Sequence, residues 1–221
     1  MGRDDSELYV YAVADPGLPA RLRVRGRLLR TVSVGRIAAV VEAARGSREA
    51  TPEALREQHA VVVALARRSR AVLPARYGTR LTPAALRAAI VEHRETLAAA
   101  LDRVRQRAQM TIRVFGPPDA TRPRDARAPG GAAYLRSRRN RLHHLPPEIA
   151  AVRRALGRFT VAERAEAGSR SLRLTVFHLV ADDAIGEYRD QASALQSTLA
   201  PLQVTVTGPW PPFAFSPELF R

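Results

Sequence analysis

Residues 29–41, LRTVSVGRIAAVV, followed ten residues later by 51–70, TPEALREQHAVVVALARRSR, set two structural periods side by side. In the first stretch, two β-branched runs, Leu29 to Val34 and Ile37 to Val41, flank Gly35-Arg36, a pair suited to a tight hairpin turn. In the second, Thr51 as N-cap, Pro52 at the first helical position and Glu53 in the first turn mark a helix start. That helix is expected to run to about Arg70, burying Leu55, His59, Val62, Val63 and Ala66 at three- and four-residue spacing. Strands that give way to helices in this manner predict an α+β fold.

Upstream, Leu8 to Val13 (LYVYAV) is rich in β-formers and stops at Asp15-Pro16-Gly17, so it reads as a first strand buried on both faces. Downstream, Ala71 to Ala75 is a short extended piece, and Thr82-Pro83 repeats the N-cap device before a second helix to about Gln106. Met110 to Phe115 reads as a strand ending at Gly116-Pro117-Pro118. Residues 1–116 therefore form an expected first domain, βββα(β)αβ. Residues 117–131, rich in Pro, Gly and Arg, read as a linker. A second domain, 132–221, is expected as a helix from Ala132 to Leu145, a break at Pro146-Pro147, and a helix from Glu148 to about Glu166. A strand from Ser171 to Val180, a helix to Leu199 capped by Asp182 or Asp183, and a short strand from Val204 to Thr207 follow.

The 221 residues include no cysteine, which excludes disulfides, thiolate metal sites and cysteine nucleophiles. All 36 basic residues are arginine, so Schiff-base catalysis and a P-loop lysine are excluded as well. The net charge of +15 attracts polyanions and acidic surfaces. A mean hydropathy of −0.21 with 46% hydrophobic residues is that of a folded chain. The charged start, Met1-Gly2-Arg3-Asp4-Asp5, and the lack of a roughly 20-residue apolar stretch place the protein in the cytosol, off the membrane.

Two segments invite a functional reading. The tail, Gly208-Pro209-Trp210-Pro211-Pro212-Phe213-Ala214-Phe215-Ser216-Pro217, is a stiff extended strap with aromatic hooks. It either clasps back on its own domain or docks on a partner. The arginines 136, 138, 139 and 141, preceded by 122, 124 and 127, would suit phosphates, yet Tyr134 is the only aromatic nearby. A solvated helix surface accounts for them better than nucleic acid does. His143-His144 points two ways on a helix, and Asp182-Asp183 reads as capping before it reads as a Mg²⁺ site. His59 reads as a partly buried histidine, and His93 and His178 carry less still. No G-x-S-x-G, G-x-G-x-x-G or H-E-x-x-H occurs, so no catalytic residue, cofactor or metal is expected.

These elements resemble one family from end to end, the gas vesicle proteins of the GvpL/GvpF type. The resemblance is carried by Leu8-Tyr9-Val10-Tyr11, Ile37 to Val41, His59, Val72-Leu73-Pro74-Ala75-Arg76-Tyr77-Gly78-Thr79, Gly131-Ala132-Ala133-Tyr134-Leu135 and, above all, Thr207 to Phe215. It departs at Gln109, where the family tends to an acid, and in its basic charge. The resemblance implies a ferredoxin-like N-terminal domain and a smaller C-terminal α+β domain. It also implies a non-enzymatic, gas-vesicle-associated accessory or minor structural protein, monomeric when isolated, that binds the main shell protein and other accessory proteins. Trp210, Pro211, Pro212, Phe213 and Phe215 are the candidate partner-binding residues, and a basic nucleic-acid-binding module is the alternative.

Overall fold

The computed structural model describes residues 6–44, 46, 49–117, 145–168 and 170–218. The helix expected from Ala132, except Leu145, nearly all of the 117–131 linker, Tyr134, Leu135, the arginines from 122 to 141 and His143-His144 lie outside the described residues. Two compact units are formed. One comprises residues 1–107 with 210–221, the other residues 108–209.

The first unit is organised around β1 (Leu8–Ala14), whose seven residues are all buried. With β2 (Arg21–Val24), β3 (Arg27–Val34), β4 (Ile37–Ala43), β5 (Val72–Pro74) and β6 (Arg80–Leu81) it makes a six-stranded sheet. The order is β2-β3-β4-β1-β5, and β6 also pairs with β1. Every recorded pairing is antiparallel. The register of β1 against β4 slips between Val10 and Ala12, leaving Tyr11 as an extra residue. Such a bulge shifts the alternation of faces by one. Tyr9 and Tyr11 thus share a core with Ala12 and Ala14, where an unbroken strand would have turned the alanines away.

That core is closed by α1 (Pro52–Ala66) through Val61, Val62 and Leu65. Thr51 caps α1 by accepting from Ala54 N at 3.2 Å, and Thr82 caps α2 (Pro83–Glu92) through Ala85 N in the same way. The helix expected to continue to Gln106 is interrupted at His93 and resumes as α3 (Arg94–Val104). The buried stripe of α1 is Gln58, Val61, Val62 and Leu65, turned from the expected stripe, while Leu55 is 45% exposed. The polar Gln58 takes the inner position because its amide is satisfied there, as described below.

Four strands precede the first helix, one more than the βββα(β)αβ order expected of the first domain. The second unit contains β7 (Arg107–Phe115), α4 (Glu148–Leu156), β8 (Thr160–Ala167), β9 (Leu172–Ala181), α5 (Ile185–Ser193), α6 (Leu195–Thr198) and β10 (Gln203–Trp210). Its sheet order is β10-β7-β9-β8. Strand β7, read from sequence as the end of the first domain, is an inner strand of this second sheet, because its Met110, Ile112 and Val114 join the core of Val152, Leu156, Val176 and Tyr188. Thr160 to Ala167, expected as helix, is the strand β8. Its antiparallel register with β9, from Thr160 opposite Val180 to Ala167 opposite Leu174, outweighs the helix preference of its Ala, Glu and Arg. Asp182 and Asp183 open a short 3-10 turn and cap no helix by a side-chain bond. No helix among the described residues is long and apolar enough to cross a membrane.

Candidate interaction site

Residues far apart in sequence meet on one side of the first unit. The Tyr9 hydroxyl donates to Gln58 Oε1, and Gln58 Nε2 donates to the Ala75 carbonyl at 3.1 Å. The Gly78 amide donates back to the Tyr9 hydroxyl at 3.3 Å. Strand β1, helix α1 and the loop after β5 are thereby tied through one buried glutamine. Ala75 N also donates to Tyr11 O at 3.0 Å, and Thr79 folds the loop by donating Oγ1 to Arg76 O at 2.8 Å. Gly78 turns at φ +84°, which a side chain would resist. The Tyr9 ring packs edge-on against Tyr11 at 5.0 Å and Tyr77 at 6.3 Å. Leu73 and Pro74 are buried in β5, whereas Arg76 is exposed.

The tail lands next to this knot. Pro211 and Pro212 are buried, and a 3-10 turn over Phe213–Phe215 packs against β5. Phe213 N donates to Pro211 O at 2.8 Å and Phe215 N to Pro212 O at 3.0 Å, closing the turn on itself. On α1, one residue past the inward Gln58, His59 lies between two tail rings. It stacks on Phe213 at 5.4 Å with a 20° interplanar angle and meets Trp210 edge-on at 5.5 Å. Trp210 and Phe213 remain 36% and 38% exposed. The strap thus clasps the first unit with its prolines and holds two rings outward. Leu55, one helical turn before His59, adds exposed apolar surface on the same helix.

Gly208, at the start of the tail signature, has φ +124°. A Cβ there would stand 2.7 Å from Gln109 O and 2.9 Å from Met110 Sδ, so the close approach of β10 to β7 requires glycine. The Gly208 carbonyl accepts from Arg189 Nη2 at 2.6 Å. Pro209 follows and is exposed. Gln109, where the family tends to an acid, is buried and donates Nε2 to Thr111 Oγ1 at 3.2 Å.

Two groupings escaped sequence reasoning. Gln58 lies outside the expected buried face of Leu55, His59, Val62, Val63 and Ala66, and nothing in the helical period distinguishes it. The other grouping, in the second unit, surrounds the fully buried His178. Its Nδ1 lies 3.0 Å from the Tyr188 hydroxyl and its Nε2 3.3 Å from Glu163 Oε2, while Arg153 donates to Glu163 Oε1 at 2.7 Å and 3.0 Å. Glu163 accepts, so Nε2 carries the proton and Nδ1 accepts from Tyr188. Burial lowers the His178 pKa against the pull of Glu163, and burial raises that of Tyr188. Burial alone would raise Glu163, but its bonds from Arg153 and His178 bring it below its usual value. With both ring nitrogens engaged, this histidine braces β8, β9 and α5 and has no lone pair left for a ligand. Among the described residues, no three His, Asp or Glu side chains gather as a metal site would require.

Two antiparallel sheets, their helices and a proline-aromatic strap define an α+β protein. The chain belongs to the gas vesicle synthesis protein GvpL/GvpF family, whose model matches residues 7–217. Its structure is similar to the crystal structure of gas vesicle protein GvpF from Anabaena sp. PCC7120, with a TM-score of 0.74 at 13% identity, covering 96% of this chain and 98% of that one. It is also similar to GvpF from Microcystis aeruginosa, with a TM-score of 0.72 at 13% identity, covering 95% and 98%. No curated protein sequence matches.

Proposed function

We propose that the protein is a non-enzymatic accessory or minor structural component of gas vesicle assembly, acting in the cytoplasm and at the vesicle by protein-protein contact. Its partners on this reading are the hydrophobic main shell protein and other accessory proteins. We further read the two compact units as two domains, with the βαββαβ order of a ferredoxin-like domain in residues 108–209, and the isolated chain as a monomer. The observation that carries the functional reading is the exposure of Trp210 and Phe213 on a support that cannot collapse, since Pro211 and Pro212 are buried between them and His59 fills the gap. Exposed rings on a pre-ordered backbone lose little conformational freedom on binding, which suits them to an apolar partner surface.

The test is capture of the shell protein, co-expressed in one host, by the full chain and by a Trp210→Ala/Phe213→Ala variant at low and moderately high salt. Capture that survives salt and is lost in the variant supports the reading. Capture by both alike removes the tail from the contact. No capture at either salt, with retention on nucleic acid, would favour the basic nucleic-acid-binding alternative.

A further inference from the structure

A cleft of about 550 Å³ opens in the first unit, away from the residues of the aromatic site. Asp15, Pro16 and Gly17 after β1, Arg36 in the β3–β4 turn, Arg68 to Arg70 after α1, and Ala98, Leu101, Asp102 and Arg105 around the end of α3 line it. We propose that this cleft binds a compact polyphosphate group.

The charges are divided unevenly. Arg105 donates to Asp15 Oδ2 at 2.8 Å and to Asp102 Oδ1 at 3.1 Å, and Asp15 also accepts from Ser69 Oγ at 2.5 Å. One arginine therefore occupies both carboxylates of the lining, and Asp15 is only 13% exposed. Arg68 is steered by a 2.8 Å bond from Nη1 to Arg23 O, which leaves the rest of its fork free. Arg36 and Arg70 have no carboxylate partner among the described residues. Three exposed arginines from two chain segments thus line one concavity whose two carboxylates are engaged by Arg105.

Helix C-termini normally repel anions, and α1 and α3 both end here. Their effect is reduced because terminal carbonyls of both helices are already used. Arg67 N and Arg68 N donate to Val63 O at 3.3 Å and Leu65 O at 2.9 Å, and Arg107 Nη1 donates to Asp102 O at 3.2 Å and Arg103 O at 2.5 Å. The volume lies in the range of small-ligand sites, roughly 300 to 1,000 Å³. Guanidinium forks match phosphate oxygens two at a time, and closely spaced phosphates can meet several of them at once, which carboxylates strung along a peptide cannot do in so small a space. The apolar lining, Pro16, Ala98 and Leu101, includes no aromatic ring on which a base would stack, so the phosphates are what the cleft reads. Inorganic polyphosphate and a nucleoside polyphosphate present the same group.

Isothermal titration of the full chain with pyrophosphate and with ADP, at about 0.15 M salt to screen diffuse attraction, tests this. Saturable one-to-one binding is expected, weakened about tenfold for each arginine removed in Arg36→Ala/Arg70→Ala. The control Arg87→Ala/Arg154→Ala, which removes the same charge from exposed positions elsewhere, should bind as the parent does. Equal affinity for the two probes would assign an inorganic source, and tighter ADP a nucleotide. The proposal is overturned by absence of saturation with both probes, by equal loss in the two double variants, or by binding of a glutamate-rich peptide where pyrophosphate fails.

Discussion

Tyr9→Phe removes one oxygen and leaves the ring, so its cost isolates the polar knot from the packing around it. Gln58 Oε1 would lose its donor in a site where Gln58 is buried, whereas the Gly78 amide, in an exposed residue, can turn to water. One orphaned buried acceptor costs about 1 to 3 kcal/mol. For a chain of this size, about 2 kcal/mol corresponds to roughly 4 to 8 °C in Tm. A second substitution sharpens the argument: Gln58→Leu in the Tyr9→Phe background removes the orphaned amide and sets an apolar side chain among Val61, Val62 and Leu65, leaving only Ala75 O short of a donor. The double variant should therefore be more stable than the sum of the single losses by about 1 kcal/mol or more, the signature of a shared bond. Thermal unfolding followed by circular dichroism reads both quantities. A Tyr9→Phe variant that melts with the parent, or strict additivity in the cycle, would refute the claim that this bond joins strand to helix.

Gly208→Ala should destabilise the second unit by about 2 to 5 kcal/mol, from the strain of a side chain at φ +124° together with a Cβ 2.7 Å from the Gln109 carbonyl, as measured by urea unfolding. Thr51→Ala should cost about 1 kcal/mol through loss of the cap on Ala54 N, read as a lower denaturation midpoint at constant m-value. Acid should weaken the second unit in two stages. Because the folded His178 pKa is lowered, the unfolded chain takes up a proton first, and stability falls as pH drops below the ordinary histidine value of about 6.5. Glu163, also lowered, adds a further loss below about pH 4.5, and His178→Gln should abolish the first stage in a pH series of melts.

What could be read in advance was local. The β3–β4 hairpin, the two Thr-Pro helix starts and the buried β1 depend on residues within a few positions of one another, and all three stand in the structure. Strand β2 was missed because Arg21 to Val24 offers only two apolar residues, and its pairing with β3 supplies the rest. Strand β8 was misread because Ala, Glu and Arg favour helix until β9 lies alongside. The membership of β7 could not be read locally, since an inner strand gains its neighbours from β9 and β10, more than fifty residues downstream. The aromatic tail announced itself by composition, but its landing place did not. His59 and Gln58 are adjacent on α1, and only the fold decides that one meets the tail while the other enters the core.

The residues that carry the family resemblance separate by physical role. Gly78 and Gly208 answer to backbone geometry, Leu73 and Pro74 to burial, and Tyr9 to a buried bond. In this chain those demands come from the fold itself, whatever it binds. The group formed by His59, Trp210 and Phe213 is different, because ring surface is left in solvent where a purely structural clasp would bury it. The fold is shared with GvpF structures at 13% identity, which leaves surface charge free to vary beneath a fixed backbone. Arg36, Arg68 and Arg70, around Asp15, are exposed and share no residue with the strap. Activity that depends on the tail should therefore be insensitive to Arg36 and Arg70, while anion binding should be insensitive to Trp210, and the two sets of variants separate what belongs to the fold's aromatic strap from what belongs to this chain's charge.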